Sequence, residues 1–180
     1  MAIYTALAKK DAIKIADEFA LGDLVSVTGI KNGSVNTHYL LETKRGRFFA
    51  KIDEIKGELE VKQELDLLLY LKKQGFPCLQ PIKSKTGRHY IELDGKILTI
   101  SRYLEGAELG VEALNATHLS ALGNALANLH LIGRGYKKGI DNRFGFNRIV
   151  MTYREARRQL PAHLKHIVRV LDDEFSYLEN

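Results

Sequence analysis

The residue of this 180-residue sequence best placed to do chemistry is Lys51. It stands in Phe48-Phe49-Ala50-Lys51-Ile52, with apolar neighbours on both sides. A charge there needs a counter-charge, because an unpaired ammonium taken out of water is costly. Phosphate oxygens and a carboxylate would supply one. Upstream, the polar run Gly29-Ile30-Lys31-Asn32-Gly33-Ser34-Val35-Asn36-Thr37 offers Gly33, where backbone can approach an anion closely, and Ser34, Asn36 and Thr37 as hydrogen-bond donors. Downstream, Glu58, Glu60 and Glu64 lie on a predicted helix. Glu64, in its leucine-rich half, is the choice to hold the ammonium, since its distance from Gly75-Phe76-Pro77 suits a residue facing a sheet. Each piece also has an ordinary reading: an edge lysine that discourages aggregation, a glycine that only makes a turn, an exposed Glu–Lys helix pair.

The elements that would position these groups follow from periodicity. Ala12, Ile13, Ala16 and Phe19 recur at helical spacing, with Gly22 where a left-handed cap would sit. Period-two, β-branched stretches at 24–30, 36–43 and 47–52 predict three consecutive antiparallel strands, the last two joined by a tight turn at Lys44-Arg45-Gly46. A helix over 54–74 follows, with Leu59, Leu65, Leu68, Leu69 and Leu71 as its apolar stripe, ended by Gly75 and Pro77. Strands at 89–93 and 96–102 meet through Asp94-Gly95, a strong hairpin signal. The result is an α+β fold: a five-stranded antiparallel N-terminal sheet with one inserted helix. Strand, polar glycine turn, strand, lysine-bearing strand and glutamate-bearing helix, in that order, are the parts of a kinase-type ATP site. Segment 97–106 would then run from the last strand into a hinge, where main-chain groups of Ser101 and Tyr103 could bind adenine; a strand entering a plain turn fits equally well.

Beyond Leu104-Glu105-Gly106 the strand pattern stops, so the domain boundary is expected at 104/105, with residues 105–180 beginning a helical lobe. Helices are predicted at about 115–132, capped by Asn115-Ala116-Thr117 and stopped by Gly133 and Gly135, and at about 152–179, with a loop at 135–147 between them. If the helical lobe is incomplete, apolar side chains along 121–131 and 167–175 should be exposed and could pair two copies.

Composition narrows the classes. One cysteine, Cys78, excludes an internal disulfide, and no His/Cys spacing suits zinc, so a cytoplasmic setting is expected. Charged residues interrupt the N-terminal apolar positions, so neither an export signal nor a membrane partner is expected. The net charge of +5 and the basic run from Lys137 to Arg169 read as a solvated helical face, with nucleotide phosphate a more economical anion than nucleic acid. His130, alone on a leucine-rich helix, reads as structural, and no serine, cysteine or carboxylate constellation surrounds any histidine in the manner of a hydrolase.

From end to end the chain resembles the bacterial homoserine kinases of the aminoglycoside and choline phosphotransferase superfamily, which have the protein-kinase-like fold. The resemblance is carried by Met1-Ala2-Ile3-Tyr4-Thr5, by Gly29-Ile30-Lys31-Asn32-Gly33 with Asn36-Thr37-His38-Tyr39, and by Leu40 to Gly46. Gly75-Phe76-Pro77-Cys78 and Leu129-His130-Leu131-Ile132-Gly133-Arg134 complete it. It implies that Lys51 contacts ATP phosphates and pairs with Glu64, that the Gly29–Thr37 loop covers the triphosphate, and that Ser101 to Tyr103 form the adenine hinge. The acceptor it implies is homoserine, in threonine biosynthesis. His38 stands where the family commonly has asparagine. The family's His-x-Asp-x-x-x-x-Asn loop and later metal-binding aspartate do not occur in these residues, so catalytic groups and magnesium ligands are expected beyond residue 180 and this chain alone is expected to be inactive. A non-catalytic, pseudokinase-like nucleotide-binding or regulatory module is the alternative, and an RNA-binding protein a weaker one.

Overall fold

The computed structural model describes residues 3–31, 33–139, 142 and 144–178. It divides into two compact units, Met1–Lys138 and Gly139–Asn180. Asn32 and Asp141, both placed by sequence in loops, lie outside the described residues, as do Met1 and Ala2.

In the first unit, helix α1 (Lys9–Glu18) precedes strands β1 (Leu24–Ile30), β2 (Thr37–Thr43) and β3 (Gly46–Asp53). Helix α2 (Glu58–Lys73), strands β4 (Tyr90–Leu93) and β5 (Lys96–Arg102) and helix α3 (Ala116–Gly133) follow. The five strands form one sheet in the order β1-β2-β3-β5-β4, every pair antiparallel. Asp94 and Gly95 both have positive φ, 49° and 77°, as a two-residue primed turn requires.

Alternation sends successive side chains to opposite faces. Tyr39, Leu41, Ala50, Ile52, Leu98 and Ile100 face α1, where Ala12, Ile15, Ala16 and Phe19 complete the main core. The stripe thus turns on Ile15, while Ile13, predicted to pack, is half exposed. A smaller cluster on the other face joins Val61 and Leu65 of α2 to Tyr90 and Ile97. Val61, not Leu59, anchors that helix; Leu59 is 70% exposed.

Several boundaries differ from the sequence reading, among them the helix expected from about 152, which starts at Phe146. Helix α2 starts at Glu58 and not at residue 54, because Gly57 is its N-cap, with Glu60 accepting a hydrogen bond from the Gly57 amide, and Glu54 is drawn into a buried polar cluster. The cap of α1 is Ala20 at φ 51°, ahead of Gly22: the Leu21 and Ala20 amides donate to the Ala16 and Asp17 carbonyls, a Schellman closure. The long helix predicted over 152–179 is broken at Pro161, which has no amide to donate.

The second unit accordingly contains α4 (Phe146–Arg157), a single turn at Ala162–Leu164, and α5 (Lys165–Leu178). These helices meet through buried Val150, stacked Tyr153 and Phe175, and an Arg157–Asp172 ion pair at 2.6 Å. Among the described residues no helix is long and apolar enough to cross a membrane.

Candidate functional site

Lys51 lies at the centre of β3, opposite His38 of β2 and Thr99 of β5. Its parity with Phe49 and Asp53 turns it toward α2, and there the ammonium meets the first carboxylate of the site: Lys51 Nζ donates to Glu64 Oε1 at 2.5 Å. The helix presents Glu64 because Val61 and Leu65, three residues before it and one after, are the positions it buries against the sheet. Glu64 Oε2 accepts from Lys56 Nζ at 2.6 Å.

Asp53 is a third charged partner that sequence reasoning did not single out. Its side chain is fully buried, and Lys51 Nζ stands 3.1 Å from Oδ2. The contact is off the direction of a hydrogen bond, so among the described residues neither oxygen of Asp53 accepts one. Two cations and two carboxylates therefore share one face of the sheet. The signal for Asp53 was its position two residues after Lys51 on the same strand, which fixes it to the same face.

The environments of the carboxyls differ. Burial pushes Glu64 up, but hydrogen bonds from Lys51 and Lys56 outweigh it and hold its carboxyl below the usual range. For Asp53 burial dominates, and the carboxyl is raised despite Lys51. Burial and then the Lys51 charge lower the His38 imidazole, whose ring lies 5.0 Å from that of Phe49. A neutral His38 next to Lys51 adds no competing cation.

The remaining predicted residues divide between two faces. Ser101, opposite Phe49, is buried and joins Phe49, Leu65, Leu68 and Thr99 in an apolar recess beside the ion pair. Gly33 lies against the His38 ring: an added Cβ would come within 3.3 Å of His38 Nδ1. Ser34 is exposed in the β1–β2 turn, and Asn36 Oδ1 accepts a long 3.4 Å bond from the Glu54 amide. By contrast, Thr37 Oγ1 points to the opposite face, where it accepts from the Tyr4 and Thr5 amides and donates to Glu54 Oε1. Gly29 lies within β1, opposite Tyr39, and its bare Cα is covered by Ile3. The Tyr103 amide donates to the Arg47 carbonyl at 3.1 Å, and its ring lies beneath the Arg47 guanidinium. Lys51, Glu64, Ser101 and Gly33 are therefore on the α2 side, whereas Thr37 and Gly29 serve the N-terminal segment.

Such an arrangement can hold an anion at Lys51 without ordering the lysine first, with a small apolar recess next to it.

The APH family model, described as the phosphotransferase enzyme family, matches residues 26–179. The homoserine kinase of Methylobacillus flagellatus is 31% identical over 142 residues, spanning 79% of this chain and 44% of that protein. That of Rhodopseudomonas palustris is 36% identical over 134 residues, 74% and 40% of the two chains. The chain thus spans less than half the length of the curated relatives it matches. Among solved structures, an amicoumacin kinase in complex with AMP-PNP, Ca2+ and Ami superposes with TM-score 0.68 at 16% identity, over 97% of this chain and 54% of that one. A microcompartment-associated aminopropanol kinase gives 0.56 at 20% identity, over 72% and 44%. At these identities the structural likeness speaks to the fold, which is protein-kinase-like.

Proposed function

The chain belongs to the phosphotransferase enzyme family, and on that premise we propose that the protein transfers the terminal phosphoryl group of ATP to the hydroxyl of a small amino alcohol, homoserine first, as a step of threonine biosynthesis. The observation that carries this reading is the Lys51–Glu64 pair, 2.5 Å between charged atoms, beside a glycine-bearing turn. In phosphoryl transfer the protein contributes position and charge, with little covalent chemistry of its own. Lys51, already held between Glu64 and Asp53, is poised to meet phosphate oxygens. Ser34 and the exposed amides around Gly33 would cover the triphosphate, and the recess of Phe49, Leu65 and Ser101 would receive the adenine ring.

Homoserine as acceptor rests on the curated relatives, which carry the name homoserine kinase at 31% to 36% identity. Solved neighbours of the same fold take acceptors as different as amicoumacin and aminopropanol, so the fold does not choose among them. Magnesium is the expected companion of the triphosphate. Among the described residues, however, no group of three or more His, Cys, Asp or Glu side chains gathers to hold a metal ion, and no step is assigned to a metal on this chain. We assign no proton acceptor to residues 1–180 either, and expect those residues alone to give no turnover. A reducing cytoplasm suits the free thiol of Cys78.

The test is phosphorylation of homoserine, choline and aminoglycosides by the protein as it is naturally made. Turnover on homoserine is the expected result. Turnover confined to another alcohol would remove the homoserine assignment, and nucleotide binding without any transfer would favour a non-catalytic module.

A further inference from the structure

The N-terminal residues Ile3, Tyr4 and Thr5 have no secondary structure of their own, yet they are heavily bonded. The Tyr4 and Thr5 amides both donate to Thr37 Oγ1, at 2.9 and 3.1 Å. Thr5 Oγ1 donates to Glu54 Oε1 at 2.8 Å and accepts from Lys96 Nζ at 2.7 Å. Tyr39 Oη donates to the Thr5 carbonyl and accepts from the Leu7 amide, both at 2.9 Å. Thr37 and Tyr39 are buried and the Glu54 side chain is 8% exposed, so these bonds satisfy groups with little access to water, which makes the segment's path costly to change.

Two further contacts run from this segment to the strand and turn that lead over the Lys51 face. The Ile3 side chain lies on Gly29, so closely that a Cβ there would fall 2.4 Å from Ile3 Cδ1. Tyr4 Oη donates to the Ser34 carbonyl at 2.9 Å. Among the described residues no backbone–backbone hydrogen bond closes the turn between 31 and 36. Among the described residues, the other hydrogen bond to the turn is the long one from the Glu54 amide to Asn36 Oδ1.

We infer that residues 3–5 are a tether that sets the position of the β1–β2 turn over the nucleotide, with Tyr4 as a positioning residue acting through the Ser34 carbonyl. The inference rests on the nucleotide-binding reading above. Fixing the position of such a turn beforehand removes part of the ordering cost of binding.

The experiment is Tyr4→Phe in the naturally made protein, read by AMP-PNP affinity and by amide hydrogen exchange over residues 31–36. Losing one hydrogen bond should weaken affinity about two- to tenfold and speed exchange in the turn. Melting should not move, because the Tyr4 side chain is largely exposed. Thr37→Ser, which keeps the acceptor for both amides, should retain affinity, whereas Thr37→Val should not. Unchanged exchange in Tyr4→Phe, or faster exchange with unchanged affinity, would overturn the tether. Lys51→Met separates the two readings: if the unaltered protein and Lys51→Met bind AMP-PNP equally poorly, the nucleotide reading falls and the tether's purpose with it.

Discussion

Lys56 Nζ sits 2.6 Å from Glu64 Oε2, the carboxylate oxygen that Lys51 leaves untouched. Glu64 is thereby gripped from both sides, and its carboxylate cannot turn away from Lys51 without losing one partner. Lys51 is immobilised in turn, with a side chain only 14% exposed. Fixing a long, rotamer-rich side chain in advance is the service such a pair can render to an anion that arrives later.

Replacing Lys51 with methionine keeps the length of the side chain and removes its charge. It should lower kcat/KM for phosphoryl transfer by about a hundredfold or more, the scale on which losing one preorganised electrostatic contact is felt. Steady-state kinetics of the naturally made protein would check this, and near-normal turnover would contradict the role given to Lys51.

Asp53 offers a prediction with a sign. Its raised pKa means that the folded protein resists ionising it, so the stability it contributes below its ordinary carboxylate range is lost as pH climbs through the raised value. Glu64, held low, behaves oppositely: its contribution is present above the ordinary value and disappears as pH falls through the depressed one. Asp53→Asn should therefore raise the melting temperature at pH 7 and leave it nearly unchanged at pH 3; each kcal/mol is worth about 2–4 °C in a chain of this size. Glu64→Gln should lower it at pH 7. Thermal melts of the two variants at both pH values decide the matter.

Thr37→Val is nearly isosteric but strips the acceptor of two amides and a donor from Glu54. Leaving buried groups unsatisfied costs about 1–3 kcal/mol. Denaturant unfolding should show that loss, while Thr37→Ser should recover most of it.

At the end of α1, Ala20 occupies a left-handed conformation that glycine adopts freely. Ala20→Gly should stabilise the protein by about 0.5–1 kcal/mol, the left-handed penalty relieved less the extra freedom of the unfolded chain. Gly75→Ala, at φ 76° after α2 with open space around it, should cost about 1 kcal/mol for the same reason. A gain on Gly75→Ala would refute the comparison.

Leu119, Leu122 and Leu126 of α3 are each at least half exposed, as is Leu131. Chains of residues 1–180 should therefore associate as concentration rises, and Leu122→Lys should suppress it; sedimentation over a hundredfold range of concentration would show which occurs.

The sheet and the pairing of Lys51 with Glu64 were legible because both follow from local rules: period-two alternation for one, and for the other the place of Glu64 in the leucine-rich half of α2, at a set distance from Gly75-Phe76-Pro77. Which way Thr37 faces was not, since parity orients a side chain only once the register with β3 is known, and that register is a tertiary fact. Asp53 escaped notice because a carboxylate ending a strand looks like turn chemistry until its burial is seen. The cap at Ala20 was hidden by Gly22 two residues later, the residue propensity favours. The break at Pro161 was there to be read, but strong helical periodicity on both sides masked it. Tyr4 and Thr5 entered only as a matching motif, because bonds spanning some thirty residues leave no trace in spacing.

The path of residues 3–5 also matters at the bench. Any affinity tag or fusion partner is joined close in sequence to Tyr4, whose inferred task is to hold the turn through the Ser34 carbonyl. A bulky N-terminal extension would crowd that corner and depress nucleotide affinity without touching Lys51 or Glu64, so a preparation weakened in this way would be mistaken for a poor enzyme.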